Sequence, residues 1–282
     1  MCCWKLWKKL IPKMIYISFP SFGLEFNIDP VLFEIGNLRV YWYGFLIVLG
    51  FAIGLILTRR NAKKFEIEYD EILELFIILI PIAIICAWIF YLVFNLDYYL
   101  LHPGEMTSIS SGGLAIYGGI LGGIIWLFIF SKMKKINVLD LLDLIVLVLP
   151  LGQAIGRWGN FFNAEAYGSI TDTFFKMGIM EGENLIYVHP TFLYESFFCI
   201  IIFIFLNIRK NNIKFSGELT AYYLASYGIV RAIIESLRID SLMLYNIKVS
   251  FVLSIILFII ATSFLVYKKT TLNKNEKEIV KK

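Results

Sequence analysis

The chain has 282 residues, of which 59% are hydrophobic and only 17% charged, with a formal net charge of +4; its mean hydropathy is +0.75. A soluble domain carries roughly 25% charged residues, so this composition excludes a water-soluble enzyme and predicts an all-α polytopic membrane protein. Long unbroken apolar runs exclude a β-barrel, whose strands alternate apolar and polar residues.

The first segment, residues 1–13, carries Lys5, Lys8, Lys9 and Lys13 beside Cys2 and Cys3. Its apolar part is too short for a signal peptide, and no small-residue cleavage site follows. It reads as a basic helix lying on anionic lipid or, preferred here, as an extension upstream of a start at Met14. Residues 14–268 form a single transmembrane domain, and 269–282 a basic tail.

The apolar runs predict about seven transmembrane helices: Val40–Leu57, Ile72–Phe94, Gly113–Phe130, Leu139–Leu151, Thr191–Ile208, Leu219–Ile234 and Val249–Val266. The fourth is short and ends in polar residues, as expected of a segment that feeds a cavity. Arg59, Arg60, Lys63 and Lys64 follow the first run, Lys132, Lys134 and Lys135 the third, and Arg209, Lys210 and Lys214 the fifth. Six lysines follow Tyr267, whereas the stretch 95–112 holds no Lys or Arg. Basic loops stay cytoplasmic, so the C-terminus is expected inside, the N-terminus outside, and the loop holding Arg157 opening outward. The basic excess suits anionic lipid and implies no nucleic acid.

The motifs follow in the same order. Tyr41-Trp42-Tyr43-Gly44 is an interfacial aromatic belt, with Tyr43 a candidate for reaching inward. In Ser111–Gly123 the pairs Gly118/Gly122 and Gly119/Gly123 make a small-xxx-small face, for which helix packing is the default reading; Tyr117 projects from the same stretch. Gly156-Arg157-Trp158-Gly159-Asn160-Phe161-Phe162-Asn163-Ala164-Glu165-Ala166-Tyr167-Gly168 places strongly polar side chains at the end of an apolar run. Polar groups at that depth normally face a polar cavity and mark function. His189-Pro190-Thr191 opens the fifth run, with Pro190 suited to a first helical turn; Tyr194 and Glu195 follow. Tyr227, Arg231 and Glu235 are four apart and share one helix face, with Arg238 expected to extend the ladder by one turn. A guanidinium fork suits bidentate phosphate binding. Cys86 and Cys199 read as small apolar fillers, and with only His102 and His189 no metal site is expected.

Two arginines, amides and carboxylates near one membrane face suggest an anionic phospholipid ligand. Six blocks in order also make the chain similar to the bacterial prolipoprotein diacylglyceryl transferases. They are Asp29-Pro30 with Ile35-Gly36, Tyr41–Gly44, Gly112–Gly123, Gly156–Gly168, His189–Glu195 and Arg231-x-x-x-Glu235-x-x-Arg238. The resemblance spans about Phe19 to Lys268, and the Gly156–Glu165 block is highly specific. It implies a catalytic domain in the bacterial cytoplasmic membrane. There the diacylglyceryl group of phosphatidylglycerol moves to the lipobox cysteine thiol in a prolipoprotein signal peptide. A thioether forms and glycerol-1-phosphate leaves, with no cofactor.

The same resemblance assigns phosphatidylglycerol binding to Arg157, Asn160, Gly168 and Arg231. It also marks Tyr43, Glu165 and Glu235 as functional positions, taken here as catalytic or transition-state residues together with Tyr117, which the residues themselves suggest; His189, Tyr227 and Arg238 are secondary candidates from the same reading of the residues. Tyr117 stands where some members carry a His, so a His base is absent there. Glu165, Tyr117, His189 and water remain open as acceptors of the thiol proton. A lipid or anion transporter is the competing class, but its usual internal repeat is not found. A purely structural subunit leaves the buried Arg and Glu unexplained.

Overall fold

The computed structural model describes residues 14–36, 38–102, 104, 113, 115–241, 243–245 and 247–281, with side chains as far as residue 274. The basic segment 1–13 with Cys2 and Cys3, and Ser111, Gly112 and Leu114 of the glycine-rich stretch, lie outside the described residues.

Four short strands come first: β1 (Ile15–Phe19), β2 (Leu24–Ile28), β3 (Val31–Ile35) and β4 (Leu38–Tyr41). Helices α1 (Trp42–Ala62), α2 (Tyr69–Phe94), α3 (Leu96–Leu101), α4 (Ile116–Lys134), α5 (Val138–Val146) and α6 (Leu149–Asn163) follow. Strands β5 (Met177–Glu181) and β6 (Asn184–Val188) precede α7 (Thr191–Arg209) and α8 (Glu218–Leu237). The hairpin β7 (Met243–Leu244) and β8 (Ile247–Lys248) leads into α9 (Val249–Lys281).

Among the described residues, five helical stretches are long and apolar enough to cross a membrane: Trp42–Phe65, Tyr69–Phe94, Ile116–Lys134, Thr191–Asn212 and Val249–Lys274. The pair α5 and α6, bent by 45°, makes a sixth if taken as one span. This is a mostly helical, multi-pass membrane protein. The expected sixth run forms the helix α8, but its tyrosines, Arg231 and Glu235 leave it outside that apolar set. The fourth expected run differs more. The helix restarts at Leu149-Pro150, where proline fits a first turn, and continues through the Arg157 motif to Asn163. Residues 156–163 are therefore helical, where a loop was expected; only Ala164, in the left-handed region at φ 48°, ends the helix.

Contacts divide the chain into two compact units. The larger comprises residues 12–58 and 142–282. Its strands form an antiparallel sheet in the order β2-β1-β5-β6, with Ile17 opposite both Phe26 and Ile179. The runs are too short, and too mixed in polarity, to announce themselves as strands beside the long apolar helices. Their buried face, Ile17, Phe19, Met177, Ile179 and Val188, packs on Phe161 of α6 and Phe192 of α7. Trp42 stacks on Phe162 at 4.5 Å, joining the start of α1 to the end of α6. Buried Asp143 accepts from the Gly217 and Thr220 amides (2.9 and 2.7 Å) and from Thr220 Oγ1 (2.6 Å). That carboxylate satisfies amide donors at the α8 N-terminus from another helix. It sets the axial position of α8.

The other unit contains residues 59–141. A side chain at Gly118 would strike the Cys86 carbonyl and Phe90, and one at Gly122 would meet Cys86 Sγ at 2.5 Å. The glycine face thus packs α4 against α2, as the spacing predicts. Trp126 Nε1 donates to the Leu75 carbonyl (3.1 Å), and Lys134 pairs with Glu74 (2.6 Å) across the same helices.

Candidate active site

Helical spacing builds the first wall of the site. Arg157 and Asn160 lie three apart on α6, and the arginine Nη1 donates to Asn160 Oδ1 at 3.3 Å. After the left-handed turn at Ala164, the Glu165 amide donates to the Asn160 carbonyl (3.0 Å). This folds the Glu165 carboxylate back to accept from the Asn160 and Asn163 amides at 3.0 and 3.2 Å. Four polar residues of one motif form a connected strip.

The second wall comes from α8. Tyr227, Arg231 and Glu235 occupy successive turns, and all three side chains point the same way, as their spacing predicts. Arg231 Nη2 lies 2.6 Å from Glu235 Oε2. This is an ion contact whose angles fall outside hydrogen-bond geometry, so that buried oxygen has no hydrogen-bond donor. Arg238 does not extend the ladder. The helix ends at Leu237, Arg238 turns extended (ψ 145°), and its guanidinium pairs with Asp240 at 2.7 Å. Lys248 Nζ donates to the carbonyls of Glu235 (2.8 Å) and Arg238 (2.6 Å), ending the helix where a further turn was expected.

The two walls meet on one carboxylate that the sequence reading did not select. Glu195, on α7 and 1% exposed, accepts from Arg157 Nη2 (2.7 Å) and Tyr227 OH (2.8 Å) on Oε1, and from Arg231 Nη1 (3.1 Å) on Oε2. Burying an unpaired carboxylate is prohibitive; two guanidiniums and a phenol compensate it. Neither arginine is fully buried: 24% of the Arg157 side chain and 16% of that of Arg231 are exposed. Arg157 and Arg231 are matched in charge by Glu195 and Glu235, with Glu165 a third carboxylate joined to the strip through Asn160. Two guanidiniums held in fixed directions are an arrangement that suits a phosphate oxygen. The available sequence signal was an acid inside the apolar run Phe192–Ile202, which is itself a functional mark.

The remaining candidates divide. The Tyr43 ring lies directly on Gly159, so close that a Cβ there would overlap it. Gly168 donates its amide to the His189 carbonyl (2.8 Å), and a Cβ would sit 2.9 Å from His189, the Leu237 carbonyl and Thr191. Gly168 is thus a close-packed junction beside the site. His189 Nδ1 lies 3.4 Å from Tyr194 OH, and burial pushes its pKa below the ordinary 6.5. Tyr117 belongs to the unit of residues 59–141, in the first turn of α4. An apolar cavity of about 600 Å³, lined by residues including Phe19, Phe22, Leu24, Phe175, Leu193 and Phe197, opens along the first turns of α7.

A family model described as prolipoprotein diacylglyceryl transferase matches residues 30–267. The chain is similar to the phosphatidylglycerol–prolipoprotein diacylglyceryl transferase of Clostridioides difficile (strain 630): 42% identical over 228 residues, covering 81% of this chain and 90% of the relative. The protein of that name from Finegoldia magna is 40% identical over 251 residues, covering 88% of this chain and 100% of the relative. Its namesake from Listeria innocua is 40% identical over 255 residues, covering 87% and 92%.

Proposed function

The chain belongs to the prolipoprotein diacylglyceryl transferase family, and from that membership we infer the reaction. The diacylglyceryl group of phosphatidylglycerol passes to prolipoprotein, the first step of lipoprotein maturation. The acceptor is the thiol of a lipobox cysteine near the apolar signal segment, and the enzyme works in the bacterial cytoplasmic membrane with its site opening outward.

In this reading the cysteine sulfur attacks C3 of the glyceryl unit. The S–C bond forms as the C–O bond to phosphate breaks, and glycerol-1-phosphate leaves with the electron pair. Negative charge grows on the leaving oxygen, so preorganised donors lower the barrier. Arg157 and Arg231 are assigned to the phosphate, with Asn160 holding the Arg157 fork. The attacking species is thiolate, and a free thiol titrates near pH 8.5. Glu165 is assigned the proton, because it is exposed and hydrogen-bonded into the arginine strip. The apolar cavity beside α7 supports a lipid-soluble substrate.

The observation that carries this reading is the convergence of two partly exposed arginines, Arg157 and Arg231, on buried Glu195. Purified protein given phosphatidylglycerol and a lipobox peptide is expected to release glycerol phosphate and form the thioether. Substituting the peptide cysteine by serine abolishes release, and Arg157→Lys, which keeps charge but loses the fork, lowers turnover severely without impairing membrane insertion. Equal release with the serine peptide, or full turnover by Arg157→Lys, refutes the assignment.

A further inference from the structure

We propose that Glu195 is the positioning residue of this transfer: it touches no substrate, but holds the two phosphate-directed guanidiniums at the separation and angle the reaction uses. The proposal rests on the reading that Arg157 and Arg231 bind the lipid phosphate.

Glu195 ties the three helices of the site by charged and hydrogen-bonded side chains; Gln153 makes a weaker tie among the same helices, accepting from Cys199 Sγ (3.9 Å) and Tyr223 OH (3.1 Å). Arg157 reaches it from 38 positions earlier on α6; Tyr227 and Arg231 reach it from 32 and 36 positions later on α8. Arg157 and Tyr227 share Oε1, and Arg231 takes Oε2. A carboxylate has two oxygens set at a fixed angle, so the directions of both arginine forks follow from one side chain. The orientation of Glu195 is itself held from behind. Tyr227 stacks on Tyr223 with centroids 5.6 Å apart and planes 9° apart, and Tyr223 OH donates to Gln153 Oε1 at 3.1 Å. Gln153 and Tyr223 stand one turn before Arg157 and Tyr227 on α6 and α8. Ser196, the next residue, donates to the Ala154 carbonyl at 3.0 Å and pins the same turn of α7 to α6.

Glu235 does not duplicate this function. Among the described residues its side chain is paired with Arg231, from one turn along the same helix, and no ion pair joins it to Arg157. Removing the Glu195 charge leaves Arg231 paired with Glu235 and Arg157 hydrogen-bonded to Asn160, so the two guanidiniums separate and lose their common aim. Glutamine is nearly isosteric but presents NH₂ donors to groups that are themselves donors.

The test uses the full-length enzyme in phosphatidylglycerol-containing nanodiscs with a cysteine lipobox peptide. Glu195→Gln is expected to lower kcat on the order of a hundredfold, the cost of a displacement near 1 Å at reacting groups, and to weaken phosphatidylglycerol binding measured without acceptor. The KM for peptide stays unchanged. Glu195→Asp, which keeps the charge one methylene back, restores part of kcat, and Tyr227→Phe, which removes one donor, produces a smaller loss in the same direction. Because Glu195 acts through Arg157, adding Glu195→Gln to Arg157→Lys costs little further, a coupling that mere scaffolding does not produce. Should Glu195→Gln fail to insert, Tyr227→Phe and Glu195→Asp decide. Wild-type kcat and lipid binding in Glu195→Gln, or fully additive losses with Arg157→Lys, overturn the proposal. A wild-type enzyme that binds phosphatidylglycerol but transfers nothing to the thiol refutes the reaction assigned above, while the lipid-binding comparison still judges Glu195.

Discussion

Gly159 is a glycine because Tyr43 occupies the space a side chain would need. The contact places an aromatic ring against the α6 turn that carries Asn160, itself a partner of Arg157. Adding a methyl group forces either the ring or the helix to move. Overpacking of this kind costs about 1–3 kcal/mol, so Gly159→Ala is expected to lower the thermal midpoint in detergent and to reduce turnover. Combining it with Tyr43→Ala is expected to restore the midpoint but not turnover. A single variant that melts and turns over like the parent removes this contact from the account. Glu195 shows the converse case: an acid in an apolar run marks it locally, but the partners that give it its weight lie more than thirty positions away.

The entry to α7 is a junction of three elements. The His189 amide donates to the Ser169 carbonyl at 3.1 Å, its carbonyl accepts from Gly168, and Pro190 opens the helix that carries Glu195. Burial favours the neutral imidazole, so the folded pKa lies below the unfolded value near 6.5. The unfolded chain therefore binds a proton first as pH falls, and stability declines from about pH 6.5 until the folded value is passed. Thermal midpoints measured at pH 7.5 and 5.5 are expected to drop more for the parent than for His189→Gln. An equal drop in both assigns the acid sensitivity to other groups. The same junction explains why Gly168, an expected lipid-binding position, is a glycine: it packs where His189, Leu237 and Thr191 converge. Arg238 was misplaced for a related reason: helical periodicity was continued past Leu237, whereas Lys248 from β8 takes the last carbonyls and lets the chain turn away.

For the chain in its membrane, the distribution of Lys and Arg is the basis for orientation. Single cysteines at exposed Thr173 are expected to react with an impermeant thiol reagent from outside, and those at exposed Lys63 and Asn211 only after permeabilisation. Asn61, though in the same basic segment, is 9% exposed and unsuited to labelling; Thr107 lies outside the described residues. The reverse pattern overturns the proposed topology and the outward-opening site with it.

The apolar runs identify a multi-pass helical protein because burial in lipid demands long segments of one polarity, a property each segment carries alone. Tyr227, Arg231 and Glu235 are legible for a similar reason: four-residue spacing places them on a common helix face before any tertiary contact forms. The Gly118–Gly122 packing face is local in the same sense. The short strands are different, since β1 becomes a strand by pairing with β2 on one side and β5, some 160 residues later, on the other. Tertiary structure also decides that the Arg157 motif is helical, that Tyr43 meets Gly159, and that two arginines from different helices share Glu195. Each of these depends on a hydrogen bond or a close contact between distant segments. Such contacts form only when the backbone has brought both partners together, so neither partner's surroundings in the sequence announce them.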